Sequence, residues 1–353
     1  MKLLYGVQGT GNGHIARARM MAKHFAKRKI EVQFLFSGRA PNQYFDMEIF
    51  GDYWLRSGLT FVTVNGRVSN IKSLQQLQPL QFIRDLGTLD LSSFDLIITD
   101  FEPLTAWAAR RQNKDIIGIG HQYAMAYPDV PSRGADLRNR LIMRYFAPCQ
   151  YSLGLHWDRF NASIVPPIIN PEERRQAISD AEHIVVYLPF ENQALVSAAL
   201  QTLTNQRFIQ YAPSLTSREI GNVSQRPNSL HGFKNDLCRA SGVICNAGFE
   251  LISESLHLGI PVLAKPVAGQ AEQLGNAAAL EQLQLATVMP EFSASHIGQW
   301  LANKPKAPAL HYPDVAEAIC DWLLAGNWQN SDALVSQLWQ QTGFTTDLLS
   351  KAS

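Results

Sequence analysis

Short apolar runs rich in β-branched residues alternate along the chain with longer stretches whose apolar positions recur every three or four residues. The first kind reads as strands buried on both faces, the second as amphipathic helices. In the first half the strand candidates are Lys2–Gln8, Glu31–Ser37, Leu59–Val64, Leu96–Asp100, Asp115–Gly120 and Tyr151–Leu155, with helical periodicity plainest over Ile15–Arg28 and Pro103–Gln112. The second half repeats the pattern. Its strands are Ile184–Leu188, Arg207–Ala212, Gly242–Asn246, Pro261–Lys265 and Ala286–Met289, with helices near 191–203, 249–258, 270–283 and 293–302. Such alternation predicts an α/β fold with parallel sheets covered on both faces.

Two blocks, not one, account for 353 residues, a length beyond one ordinary core. The segment Val165-Pro166-Pro167-Ile168-Ile169-Asn170-Pro171 opposes both helix and central strand, which places the connection between blocks there. The expected organisation is residues 1–163, residues 164–330, and a closing helix in 331–353 that packs across the junction without a sheet strand of its own. Loops 38–58 and 121–135 follow strands, where open α/β folds keep their ligand contacts.

Composition narrows the class. The chain is 46% hydrophobic and 17% charged, which suits a folded protein, and its net charge of +1 carries no signature for nucleic acid. No long uncharged apolar run exists and the first residues read directly as strand, so neither a membrane span nor a secretory signal is expected and a cytoplasmic location follows. Cys149, Cys238, Cys245 and Cys320 lack paired spacing, which predicts reduced thiols, no zinc site and no disulfide framework. The first helix carries Arg17, Arg19, Lys23, Lys27, Arg28 and Lys29 with no acid before Glu31. Either this basic face rests on anionic lipid at the inner side of a membrane, or it is a solvated face backed by Met21, Phe25 and Ile30.

Two turns carry chemistry. The loop Gly6-Val7-Gln8-Gly9-Thr10-Gly11-Asn12-Gly13-His14 joins the first strand to the first helix. A dinucleotide fold would show G-x-G-x-x-G and an acid ending the second strand; here the spacing differs and that strand runs into Ser37-Gly38-Arg39. His14, at a helix N-terminus behind a glycine turn, is placed to take a proton from a hydroxyl. Asp100, ending a neighbouring strand, is placed to orient it; the plainer alternative is a helix cap and a turn contact. The second turn, Cys245-Asn246-Ala247-Gly248-Phe249-Glu250, aims backbone N–H groups and a helix start at an anion. Glu254, six residues past Gly248, suits ribose hydroxyls beside a phosphate.

These residues resemble the GT-B glycosyltransferases of the inverting, UDP-sugar-dependent type. The resemblance implies two Rossmann-like, doubly wound domains facing a cleft, an acceptor domain first and a donor domain second. By it His14 is the general base and Asp100 its partner, and Gly11 and Gly13 belong to the glycine loop. The donor signature falls on Asn246, Ala247, Gly248, Phe249, Glu250 and Glu254, then Gly259-Ile260-Pro261, then Glu272, Gln273 and Asn276. It implies that the turn receives the diphosphate, Glu254 the ribose, and Glu272 with Gln273 the donor sugar. The sequence departs from the pattern at Asn246-Ala247, where His is frequent, and at Glu250, an acid close to where phosphate should lie. No Asp-x-Asp is present, and the resemblance implies no metal and no cofactor beyond the nucleotide-sugar co-substrate. His121 and Tyr123 either shape an acceptor site with Tyr127 or pack the domain junction; His156-Trp157 reads as core. The acceptor stays open among lipid-linked, saccharide and small-molecule hydroxyls. Two other classes share the fold: a non-hydrolysing UDP-sugar epimerase and a non-catalytic nucleotide-sugar-binding protein.

Overall fold

The computed structural model describes residues 1–59, 63–64, 66–68, 78–132, 145–175, 183–307 and 310–344. Its first sheet follows from the runs of Val, Ile, Leu and Phe that open the chain. β1 (Lys2–Gln8), β2 (Glu31–Ser37), β3 (Trp54–Arg56), β6 (Leu96–Asp100), β7 (Ile116–Gly120), β8 (Tyr151–Leu155) and β9 (Ile164–Val165) lie in the order β3-β2-β1-β6-β7-β8-β9. Every neighbouring pair is parallel. A small antiparallel hairpin, β4 (Thr63–Val64) and β5 (Arg67–Val68), stands apart from it.

The second sheet contains β10 (His183–Tyr187), β11 (Arg207–Tyr211), β12 (Arg218–Ile220), β13 (Val223–Arg226), β14 (Gly242–Asn246), β15 (Val262–Lys265) and β16 (Thr287–Val288). Their order is β12-β13-β11-β10-β14-β15-β16, parallel except for the β12/β13 edge pair. Both sheets reverse direction of winding at their first strand, between β1 and β6 and between β10 and β14. Crevices at the carboxyl ends of strands open at such switch points, so the topology itself directs ligands there. This is the expected doubly wound, two-sheet GT-B architecture.

The described helices are α1 (Asn12–Lys27), α2 (Pro79–Thr88), α3 (Pro103–Arg111), α4 (His121–Ala124), α5 (Gln193–Gln201), α6 (Leu230–Cys238), α7 (Phe249–His257), α8 (Ala271–Gln282), α9 (Ala294–Ala302), α10 (Val315–Ala325) and α11 (Asp332–Gln341). One apolar cluster runs from Leu3, Tyr5 and Phe25 through Trp157, Ile168 and Phe249 to Val243, Ile319 and Leu338, so both halves share a continuous core. The proline-rich connection is part of it: residues 164–169 are buried.

Four differences from the sequence reading have physical reasons. The third strand of the first sheet is Trp54–Arg56, not Leu59–Val64; Gly58 turns the chain out of the sheet with φ +62°, and 60–62 lie outside the described residues. β12 and β13 were not anticipated because Arg218–Ile220, at the sheet edge, and Val223–Arg226, beside it, are short and mostly polar. The chain returns to the first half already at α10, before residue 330, and α10 packs on α1. The closing segment also carries a strand: β18 (Gly343–Phe344) pairs antiparallel with β17 (Leu310–His311). In the same segment, Trp339 of α11 donates its indole N–H to the Ile164 carbonyl at 2.7 Å.

The basic face of α1 is largely engaged by protein. Arg28 pairs with Asp321 at 2.7 Å, Lys27 with Glu317 at 3.6 Å and Lys23 with Glu172 at 3.3 Å, while Arg19 donates to the carbonyls of Phe45 and Asp46. Met21 and Phe25 are buried beneath them, and Ile30 packs against the same core. Among the described residues no helix is long and apolar enough to cross a membrane.

Candidate active site

The glycine loop leaves the end of β1 and enters α1 with Gly11 as an extended N-cap that offers no side-chain hydrogen bond. A Cβ at Gly11 would meet nothing within 4 Å, so this side of the loop faces open space. Gly13 is different: a Cβ there would lie 2.8 Å from Cγ of Glu250. Its missing side chain is what allows the second half to approach the first so closely.

His14 lies in the first turn of α1, and Asp100 ends β6, the strand beside β1. Nδ1 of His14 is 2.8 Å from Oδ1 of Asp100. An ionised carboxylate only accepts, so Nδ1 donates and Nε2 keeps its lone pair. That lone pair faces the Gln122 amide nitrogen at 3.4 Å, and the same amide donates to Oε2 of Glu272 at 3.1 Å. The imidazole, Gln122 and the acid of α8 thus form a line across the cleft. Asp100 is fully buried. Burial alone would raise its carboxyl, but Arg17 and His14 outweigh it and hold it below the usual carboxylate range.

Arg17 follows one turn after His14 and is also buried. Its Nε donates to Oδ2 of Asp100 at 2.9 Å and its Nη2 to Oδ1 at 2.7 Å, a two-pronged grip. The remaining Nη1 donates to Oε1 of Glu250 in the second half. The acid that departs from the donor pattern is therefore matched by a guanidinium. Burial pushes the Glu250 carboxyl up to about 8 despite Arg17, so little uncancelled negative charge stands beside the turn at neutral pH.

The turn after β14 has a specific internal geometry. Ala247 donates to the Lys265 carbonyl at 3.1 Å and Gly248 to the Asn246 carbonyl at 2.7 Å. The Gly248 N–H is thus already bonded, which corrects the expectation that it meets the anion. The N–H groups that keep no internal acceptor here are the first ones of α7, at Phe249, Glu250 and Leu251. Gly248 caps α7 without a side-chain bond, and a Cβ on it would meet nothing within 4 Å.

The other expected donor residues lie around this turn in differing roles. Asn246 donates to the Lys265 carbonyl at 3.1 Å and to Glu191 at 3.3 Å, while Lys265 pairs with Glu191 at 2.6 Å. Glu254 is buried one turn along α7 and paired with Lys234 at 2.6 Å; Lys234 also reaches Glu173 at 3.1 Å. Gln273 accepts from the Val267 N–H at 2.9 Å, so it braces the loop before α8. Asn276 donates to the Ala247 carbonyl at 2.9 Å, and its side chain lies 2.6 Å from Nε2 of His121.

His121 and Tyr123, weighed for the acceptor side, point elsewhere. His121 bonds the Leu155 carbonyl and Asn276, and its ring stacks on Phe249 with centroids 4.0 Å apart, so it joins the halves. Burial lowers its pKa. Tyr123 donates to the Ala147 carbonyl at 3.0 Å inside the first half, which corrects an acceptor role for its hydroxyl. Between them Gln122 takes the cleft position. His156 and Trp157 are core residues as read, with the Trp157 indole donating to Ser253 at 2.8 Å.

Several buried acceptor oxygens lack a hydrogen-bond partner: Oε1 of Gln122, Oδ1 of Asn246 and Oε1 of Gln8. All three residues lie at or just past the carboxyl ends of strands in the two sheets. Buried acceptors of this kind call for donors, and a ligand rich in hydroxyls supplies them. Among the described residues no group of three or more His, Cys, Asp or Glu has the arrangement of a metal site.

The family model described as "Glycosyl transferase family 1" matches residues 1–305. No curated protein sequence is significantly similar to the chain. Among solved structures, the glycotransferase of kitacinnamycin is 12% identical, with a TM-score of 0.57, covering 86% of this chain and 90% of that one. MurG of Acinetobacter baumannii is 16% identical, with a TM-score of 0.52 and the same coverages. SsfS6 of Streptomyces sp. SF2575, solved in complex with thymidine diphosphate, is 11% identical with a TM-score of 0.56, covering 85% and 91%. At these identities the structural likeness speaks for the fold.

Proposed function

The chain belongs to glycosyl transferase family 1 and is a glycosyltransferase acting on a nucleotide-sugar, and from that premise we propose that it moves the sugar of a UDP-sugar to an acceptor hydroxyl with inversion and without a metal. The observation that carries this reading is the line from Asp100 through His14 to Gln122 and Glu272. An acceptor hydroxyl seated at Nε2 of His14 loses its proton there while its oxygen attacks the anomeric carbon from the face opposite the diphosphate. Asp100 stabilises the imidazolium as it forms. The carbon–oxygen bond to UDP breaks with its electron pair on the phosphate. The charge that develops there is met by the first N–H groups of α7 and the positive end of its dipole.

Glu272 is to hold a hydroxyl of the donor sugar, and Glu254 the ribose diol with the oxygen that Lys234 leaves. A diol acceptor favours a ribonucleotide such as UDP over a deoxynucleotide, although a solved fold neighbour was captured with thymidine diphosphate. Contact with a membrane draws little support from α1, whose basic residues face acids and carbonyls of the protein.

The test is thermal unfolding with UDP, UDP-GlcNAc, UDP-glucose, GDP, dTDP and NADPH, for the wild type and Glu254→Ala. A ligand at about one hundred times its dissociation constant adds about 2.7 kcal/mol, a shift of several degrees. Stabilisation by uridine nucleotides, removed by Glu254→Ala, is expected; stabilisation by NADPH alone or by no nucleotide contradicts the reading.

A further inference from the structure

Arg17 sits where three elements meet. It shares the inner face of α1 with His14, grips both oxygens of Asp100 at the end of β6, and reaches Glu250 in the first turn of α7. Its Nη2 also lies 2.9 Å from Nδ1 of His14. A single buried guanidinium therefore contacts the proposed base, the carboxylate that orients it, and the helix that opens the donor side.

The geometry at Asp100 needs such a group. Oδ1 receives both the His14 N–H and Arg17 Nη2, while Oδ2 receives Arg17 Nε. The planar fork fixes the carboxylate plane and so fixes the direction from which Oδ1 takes the imidazole proton. On the other side, Nη1 has a partner only because the second half is in place: Glu250 packs against Gly13, where a Cβ would collide. With the halves apart, the guanidinium keeps its grip on Asp100 but has one edge in water and no third point to hold its plane.

We propose that Arg17 is a positioning residue that locks Asp100 in register with His14, and that its bond to Glu250 makes this lock depend on closure of the second half onto the first. The proposal rests on the assignment of His14 as base. The base would then be in its working tautomer when the donor side is assembled against it, and less so in an open molecule. Glu250, out of place for a residue at a phosphate turn, acquires a role that concerns the first half instead.

The experiment is ¹⁵N NMR of histidine-labelled full-length protein at about pH 9, where an ordinary imidazole is neutral. The His14 ring signals are identified by their loss in His14→Gln. In the wild type the Nδ1–H tautomer is expected to dominate. In Arg17→Met and in Glu250→Ala the ratio of Nδ1–H to Nε2–H should fall by about tenfold, the effect of one charge-assisted hydrogen bond. Arg17→Lys keeps the charge, loses the fork and threatens folding less; it should show the same mixture. An unchanged ratio in either Arg17 variant overturns the lock. A changed ratio there with an unchanged one in Glu250→Ala overturns the dependence on closure. The tautomer is read without donor or acceptor, so failure here is distinct from failure of the transferase reading, which would show as absent nucleotide binding or transfer.

Discussion

Replacing Asp100 by Asn removes one charge and almost no volume from a fully buried position, which makes it a clean perturbation of the proposed dyad. Three donors converge on this carboxylate: His14 Nδ1, Arg17 Nε and Arg17 Nη2. Breaking a buried ion pair by neutralising one partner costs about 3–5 kcal/mol. Glu250 still accepts from Arg17, which points to the lower end, about 3 kcal/mol, or roughly 4 °C in melting temperature for a chain of this size unfolding as one unit. The pH dependence gives the stricter test. Asp100 has its carboxyl pKa lowered in the folded state, burial being outweighed by Arg17 and His14. Its contribution is therefore complete above the unfolded carboxyl value near 3.9 and disappears as pH falls through the lower folded value. Urea unfolding of wild type and Asp100→Asn from pH 7 downward should give a gap that closes below about pH 4. In transfer assays the introduced carboxamide can donate to Nδ1 and so favour the tautomer whose Nε2 is already protonated. The rate should then fall by about 10³–10⁴-fold. A variant as stable as the wild type at pH 7, or a stability gap that does not change with pH, would refute the reasoning.

Two further outcomes follow from single contacts. Gly13→Ala places a Cβ 2.8 Å from Glu250 Cγ, so it should lower stability by about 1–3 kcal/mol and widen the molecule in small-angle scattering; an unchanged scattering profile with normal stability would mean the two halves do not meet there in solution. Glu250 has its carboxyl pushed up to about 8 by burial, above its unfolded value, so its contribution is largest below the unfolded value near 4.3 and declines as pH rises towards the folded one. The stability of the wild type relative to Glu250→Gln should accordingly decrease from pH 5 to about pH 8 and then level off, and a difference that is flat or rising across that window would contradict the burial of this acid.

The parallel sheets were legible because their strands are buried on both faces and so appear as unbroken apolar runs. His14 and Asp100 were legible for a topological reason: the loop after β1 and the end of β6 flank one switch point, and the spacing of glycines reveals the loop. Arg17 was not. It stands in a run of Arg and Lys that looks like a solvated face, and its burial depends on α7 of the other half covering that part of α1. Gln122 was overlooked in favour of its neighbours, since nothing in His121-Gln122-Tyr123 says which side chain turns to the cleft. The one-turn helix α4 sends His121 to Asn276 and Tyr123 to the Ala147 carbonyl, leaving Gln122 facing His14. β12 and β13 eluded the pattern because they are short and mostly polar, one at the sheet edge and the other next to it. The Gly248 turn was located correctly in sequence, but its internal bond from Gly248 to Asn246 is a backbone detail that residue types do not encode.

The central claim is that His14 is the base of a UDP-sugar transferase, and its most direct test separates binding from chemistry. UDP release from UDP-sugars should be measured over a panel of lipid-linked, saccharide and small-molecule acceptors, for wild type and His14→Ala, with UDP affinity determined by calorimetry on both. The account predicts acceptor-dependent release by the wild type, UDP affinity preserved in His14→Ala, and transfer by that variant lowered about 10²–10⁴-fold, the usual worth of a general base. Transfer by His14→Ala at the wild-type rate would contradict it.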